Sequence, residues 1–238
     1  MSAQSMLEQL LKSGLSMIEG KPGGAARSGD NRPDAGWGKF GAGAATGGAL
    51  GLLLGSKGGR RIGGKALKYG SVAALGAMAF KAYNQWQAQQ AQQPGAATPA
   101  AGATPAVALP APRTVNLLPA PEVEQHSRGM LKAMIAAAKA DGHLDERERG
   151  LVEAELSRLE ADPTMRRWFE DELRRPLDPA EVAQAAATPE LAAEMYLASL
   201  LVADETGFME RAYLDELSRQ LRLPEGLKLE LERQALAT

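Results

Sequence analysis

The sequence predicts an all-α protein. Apolar residues recur at helical spacing through most of the second half, and three cap residues there are each followed by proline. No stretch alternates apolar and polar residues as a half-buried strand would. The two halves are nevertheless unlike. Residues 1–121 carry 12 Lys/Arg against 4 Asp/Glu, a net of +8, and residues 122–238 carry 15 against 25, a net of −10. A basic half and an acidic half imply different partners. The absence of cysteine excludes a disulfide framework, a thiolate metal site and a cysteine nucleophile.

Residues 1–35 read as a short amphipathic helix and a connector. Ser5-Met6-Leu7-Glu8 has the form of a capping box, and Met6, Leu7, Leu10, Leu11, Met17 and Ile18 fall near one face of a helix ending about Glu19. So short a helix needs a partner, for which another helix or a lipid surface serves equally. Glu8 and Glu19 argue against a secretory signal. Gly, Pro and charge then dominate to residue 35.

Residues 36–86 read as a Gly/Ala-rich, membrane-associated segment. Phe40 to Ser56 is 17 residues without a charge, and Tyr69 to Phe80 is 12 more. Lys57, Arg60, Arg61, Lys65 and Lys68 lie between them, unaccompanied by acids. Trp37, Tyr69, Tyr83 and Trp86 sit near the edges, as aromatic residues do at a membrane interface. Glycines 43, 47, 51 and 55 would line one strip of a helix and allow self-association. Seventeen helical residues span about 25 Å, just short of a hydrocarbon core. Anionic lipid explains the cations better than nucleic acid does, and the positive-inside tendency puts them on the cytoplasmic side. Two nucleotide-motif lookalikes carry no weight. Gly36 to Gly41 follows no strand, and the P-loop-like run from Gly59 has Ala66 where a Ser or Thr must meet magnesium.

Residues 87–121 read as a disordered Ala/Pro/Gln-rich linker with seven prolines. Residues 122–238 read as a bundle of about seven helices. They begin near Glu124, at Asp145, at Asp162-Pro163, Asp178-Pro179 and Thr188-Pro189, near Met209 and at Pro224. Met130, Leu131, Met134 and Ile135, then Leu151, Val152, Leu156 and Leu159, and later Leu191, Met195, Leu201 and Val202 form the apolar stripes. An internal echo runs through this part. Lys139-Ala140-Asp141 precedes Glu155-Leu156-Ser157-Arg158 as Val202-Ala203-Asp204 precedes Glu216-Leu217-Ser218-Arg219.

The two echoing turns hold the candidate chemistry. Asp141, Asp145 and Glu148, joined by Asp204 and Glu210, supply oxygen ligands of the kind a hard divalent cation takes, calcium foremost. The competing reading makes the same acids helix caps favoured by the macrodipole. An EF-hand is excluded, since counting from Asp141 puts His143 third and Val152 twelfth. His126 and His143 assemble no recognisable catalytic set, so an enzyme is not expected.

The run Ala140-Asp141-Gly142-His143-Leu144-Asp145-Glu146-Arg147-Glu148, with its echo at Ala203-Asp204, resembles the TerB-like domain of tellurite-resistance proteins over about residues 125–236. Leu7-Glu8-Gln9-Leu10-Leu11-Lys12-Ser13-Gly14, the glycine-rich segment, and Leu75-Gly76 through Lys81-Ala82-Tyr83-Asn84-Gln85-Trp86 are similar to YebE-like bacterial inner-membrane proteins of unknown function. The resemblance implies an inner-membrane protein whose TerB-like bundle binds divalent metal through acidic turns, in envelope or metal stress. The expectation is therefore a non-enzymatic, membrane-anchored protein that binds metal ions, protein partners or both. The alternative is a protein-binding scaffold whose acids are caps.

Overall fold

The computed structural model describes residues 2–18, 71–91, 112–140, 162–203 and 207–237. Every regular element among them is helical, as the sequence predicts. They are α1 (Ala3–Ile18), α2 (Val72–Ala91), a 3-10 turn (Val115–Leu117), α3 (Ala120–Ala138), α4 (Pro163–Arg174), α5 (Pro179–Ala183), α6 (Pro189–Leu200), α7 (Phe208–Gln220) and α8 (Glu225–Ala237). The predicted helix at Asp145 lies outside the described residues, as do the predicted caps Asp145 and Glu148.

The three proline-marked starts form as the cap chemistry dictates. Asp162 accepts from Thr164 N at 2.8 Å, Asp178 from Ala180 N at 2.9 Å and Thr188 from Leu191 N at 3.1 Å. Each takes up a backbone N–H that the first helical turn leaves unpaired, and the proline that follows has none to satisfy. α7 ends in a Schellman turn. Leu223 N bonds Ser218 O at 3.1 Å and Arg222 N bonds Arg219 O at 3.0 Å, with Arg222 in the left-handed region at φ 54°.

α6 is the centre of the molecule: all ten residues from Leu191 to Leu200 are buried. Its most extensive partner is α3. Gly129 makes that approach close, since a Cβ there would meet Leu191 Cδ1 at 3.1 Å and Met195 Sδ at 3.3 Å. The two helices run parallel: Gly129 faces Leu191 and Met195, and one turn on, Ser199 Oγ donates to Ala133 O at 3.3 Å. α4 joins α3 through Arg128, whose guanidinium lies 4.8 Å from the Trp168 ring centroid. α7 packs on α5 and α6, and α8 on α2 and α6.

Three elements from the basic half join this core, and here the structure departs from the expectation. The sequence assigns residues 36–86 to a membrane-associated segment, of which 36–70 lie outside the described residues. Instead Val72, Leu75, Met78, Ala79 and Ala82 of α2 are buried against α6, α8 and the 3-10 turn. No helix among the described residues is long and apolar enough to cross a membrane. The expected linker is also partly structured. α2 runs on to Ala91, and Thr114 and Val115 are 0 % and 3 % exposed. Gly76 makes room for the 3-10 turn. A Cβ at that position would lie 2.6 Å from Asn116 Oδ1 and 2.7 Å from Val115 Cγ1.

α1 docks on α3 and α2. Its cap is not the predicted Ser5 box, because Ser5 lies within the helix. Glu124 of α3 accepts from Ala3 N at 2.5 Å and Gln4 N at 3.1 Å, and Ser2 Oγ accepts from Ser5 N at 3.2 Å. Met6, Leu7 and Leu11 are buried, at about 1.5–3 kcal/mol each. A partner helix within the same chain thus answers the need that a short helix has.

Candidate functional site

Of the five candidate metal ligands, Asp141, Asp145, Glu148 and Asp204 lie outside the described residues. What is described is where the chain leaves for the two acidic turns. α3 ends through Lys139 and Ala140, and α6 through Leu201, Val202 and Ala203. Ala140 and Ala203 are 3 % and 2 % exposed. Because α3 and α6 are parallel partners, the chain departs from both at the same end of the pair. Among the described residues no three His, Cys, Asp or Glu side chains cluster as metal ligands do.

Glu210, the fifth candidate, is in the first turn of α7, three residues after the N-cap Gly207. Its carboxylate folds back over that glycine and fills the space a Cβ would take. An acid at this position sits favourably in the helix dipole.

A charged cleft lies where α3, α4 and α5 meet. Its walls include Lys132, Lys139, Glu172, Arg175, Asp178 and Glu181, around a cavity of about 10 Å³. That is room for about one water. Lys132 Nζ stands 3.3 Å from Glu181 and 3.9 Å from Glu172, and Arg175 reaches the same two carboxylates at 2.5 and 3.6 Å. The Arg175 guanidinium, then Lys132, hold the Glu181 carboxyl below the usual carboxylate range. Lys139 Nζ donates to Glu172 O at 3.0 Å and to Arg175 O, satisfying carbonyls at the end of α4. The cations and acids neutralise one another, so the cleft ties three helices together and offers no open valence to a ligand.

One fully buried charged group among the described residues belongs to no sequence motif. Glu194, in the middle of α6, is 0 % exposed, and His126 of α3 is 5 % exposed. Glu194 Oε1 accepts from Val115 N at 2.5 Å, and Oε2 lies 2.5 Å from His126 Nδ1, so a proton bridges the pair. The carboxylate therefore bolts the 3-10 turn and α3 to α6. Sequence reasoning missed it, although one signal was available: a single carboxylate amid Leu191, Ala192, Ala193, Met195 and Tyr196 demands a buried partner. Which partner, 68 residues away, no local pattern reveals.

Residues 39–235 match a family described as "Protein of unknown function (DUF533)". A protein of Yersinia enterocolitica, named "Uncharacterized protein in ampR 5'region", is 30% identical over 106 residues, covering 44% of this chain and 76% of its own length. No solved structure matches the chain.

Proposed function

The chain belongs to the DUF533 family of unknown function, a TerB-like family, and from that premise we propose that it is a non-enzymatic, membrane-anchored protein of the bacterial inner membrane, YebE-like in plan, whose acidic helical domain binds divalent metal ions. One observation carries this reading. The two acidic turns, alike in sequence, are entered from the same end of the parallel α3–α6 pair, through the buried Ala140 and Ala203. Asp141 and Asp204 are the next residues in the chain, and with Asp145, Glu148 and Glu210 they form a set of hard oxygen donors suited to calcium. Occupancy in response to envelope or metal stress would then act on protein partners of the domain.

The reading is tested by thermal melting of the full chain with millimolar calcium, magnesium, manganese or zinc. The full chain is needed because a fragment starting at residue 122 would lack α1, α2 and Val115, all packed into the same core. At 100 times the dissociation constant, binding to the folded state adds about 2.7 kcal/mol, a shift of roughly 5–11 °C for a protein of this size. The shift should vanish in Asp141→Ala and in Asp204→Ala. No shift with any of the four ions overturns the metal reading.

A second reading, the protein-binding scaffold, has an observation of its own. Glu210 already serves its helix terminus, and beside it Phe208 and Met209 are 84% and 57% exposed. Two exposed apolar side chains at one helix start suit a protein contact better than an ion.

A further inference from the structure

Six large apolar side chains are exposed among the described residues, and two of them, Leu229 and Leu236, share α8. They are 53% and 57% exposed and lie seven residues apart, which on a helix is two turns and about 10 Å along the axis. The stripe they mark is the face of α8 turned away from the core. Leu227, Glu230, Leu231, Gln234 and Ala235 are buried on the other face, toward α2 and α6. Measured around the helix from Leu229, Leu236 falls about 20° to one side, Glu232 about 60° to that same side and Arg233 about 40° to the other. Contacts hold both flanks. Glu232 Oε1 accepts from Tyr196 OH of α6 at 2.8 Å. Arg233 Nη2 lies 2.6 Å from Glu230 Oε2, to which Gln89 of α2 also donates at 3.5 Å. The acid thus stands on the α6 flank of the stripe and the cation on the α2 flank, one residue apart in height. On the acidic flank Lys228 is engaged by Asp215 at 2.7 Å, and the exposed Glu225 adds a further negative charge. Arg233 stays exposed and Glu232 partly exposed, so both can reach a surface laid on the leucines.

An apolar stripe with a cation on one flank and acids on the other is complementary to itself, and the occupant it fits is a second copy of the same helix. We propose that α8 is a self-association surface: two copies of this chain pair through Leu229 and Leu236 with their α8 helices parallel, about a two-fold axis that runs along the helices. That axis sets each chain's Arg233 flank against the partner's Glu232 flank, so the same charge pair forms twice. It also stacks Leu229 on Leu229 and Leu236 on Leu236. An antiparallel pair sets Arg233 against Arg233 and Glu232 against Glu232, and the repulsion of like charges selects against it. The surface is small beside the roughly 800 Å² per partner of a standard interface, so the dimer is reversible and depends on concentration. Neither the metal reading nor the membrane reading is needed for it.

The test is sedimentation equilibrium of the full chain in mild detergent, from micromolar to hundreds of micromolar. The expected result is a rise from one to two chains per particle, with association weakened about tenfold or more in the Leu229→Ser/Leu236→Ser double variant. Both side chains are already more than half exposed, so the variant keeps the fold, which circular dichroism checks. Register is read from single cysteines in a chain that has none of its own. Leu236→Cys should cross-link to itself under mild oxidation, and the exposed Ala187→Cys, away from α8, should not. A wild-type monomer at every concentration overturns the proposal. A dimer that the two serines leave unchanged also overturns it, by putting self-association elsewhere in the chain. So does Ala187→Cys cross-linking as fast as Leu236→Cys. Preferred cross-linking of Leu229→Cys to Leu236→Cys makes the pair antiparallel and refutes the arrangement proposed.

Discussion

Replacing Glu194 by Ala removes the acceptor that two buried groups share. Val115 N loses its partner at 2.5 Å, and His126 loses the carboxylate at 2.5 Å, in a place where His126 is 5 % exposed and Val115 3 %. An orphaned buried N–H costs about 1–3 kcal/mol. Breaking a buried pair from one side costs about 3–5 kcal/mol in total, most of it from the group left behind. With roughly 2–4 °C per kcal/mol for a chain of this size, Glu194→Ala should lower the melting temperature by about 6–20 °C. The assay is circular-dichroism melting of the full chain, run as a cycle with His126→Ala and the double variant. His126→Ala added to Glu194→Ala should cost much less than His126→Ala alone, since the interaction is already gone. A loss below about 1 kcal/mol, or additivity of the two variants within roughly 0.5 kcal/mol, refutes the role assigned to the pair.

Gly76→Ala sets two effects against each other. Helix propensity favours alanine by about 1 kcal/mol, but the new methyl would lie 2.6–2.8 Å from Asn116 and Val115, so melting should show net destabilisation. Stabilisation would mean that α2 and the 3-10 turn do not meet. Arg222→Gly relieves a left-handed residue and should raise stability by up to about 1 kcal/mol, read from denaturant midpoints. Tyr213 is buried, and its hydroxyl has no hydrogen-bond partner among the described residues. Burial pushes its phenol up. The folded state thus keeps a proton that the unfolded chain releases near pH 10, so this contribution is intact below about pH 10 and is lost as pH rises beyond it. Tyr213→Phe should leave stability at pH 7 unchanged or slightly higher and flatten its fall between about pH 10 and 12.

The sequence makes local chemistry legible and long-range pairing obscure. Asp162, Asp178 and Thr188 are caps because each acts within three residues of itself. The stripe of α6 is likewise visible from spacing alone. α2 misleads because burial in protein and burial in lipid select the same small apolar residues. Its periodicity holds the better clue: Val72, Leu75, Ala79 and Ala82 are buried, while Ala73, Ala77, Lys81 and Asn84 face out. A one-sided pattern of that kind marks a helix on a core more than one surrounded by lipid. Proline density hides Thr114 and Val115, whose place depends on Glu194, 79 residues on from Val115. The acidic turns are legible as motifs, and the described helices add the common end from which they depart.

The docking of α2 on α8 has a consequence for how the chain comes into being. Gln85 Oε1 accepts from Gln234 Nε2 at 2.6 Å, a pair separated by 149 positions, and Ala3 meets Glu124 across 121. Synthesis adds about 5–20 residues per second, so α2 waits on the order of ten to thirty seconds after emerging before its last partner exists. During that interval its apolar face is open on the nascent chain, close behind the basic stretch and its charge-free run. The ribosome therefore presents a temporary hydrophobic surface that the finished protein does not have. The final helix covers that surface when it docks on α2.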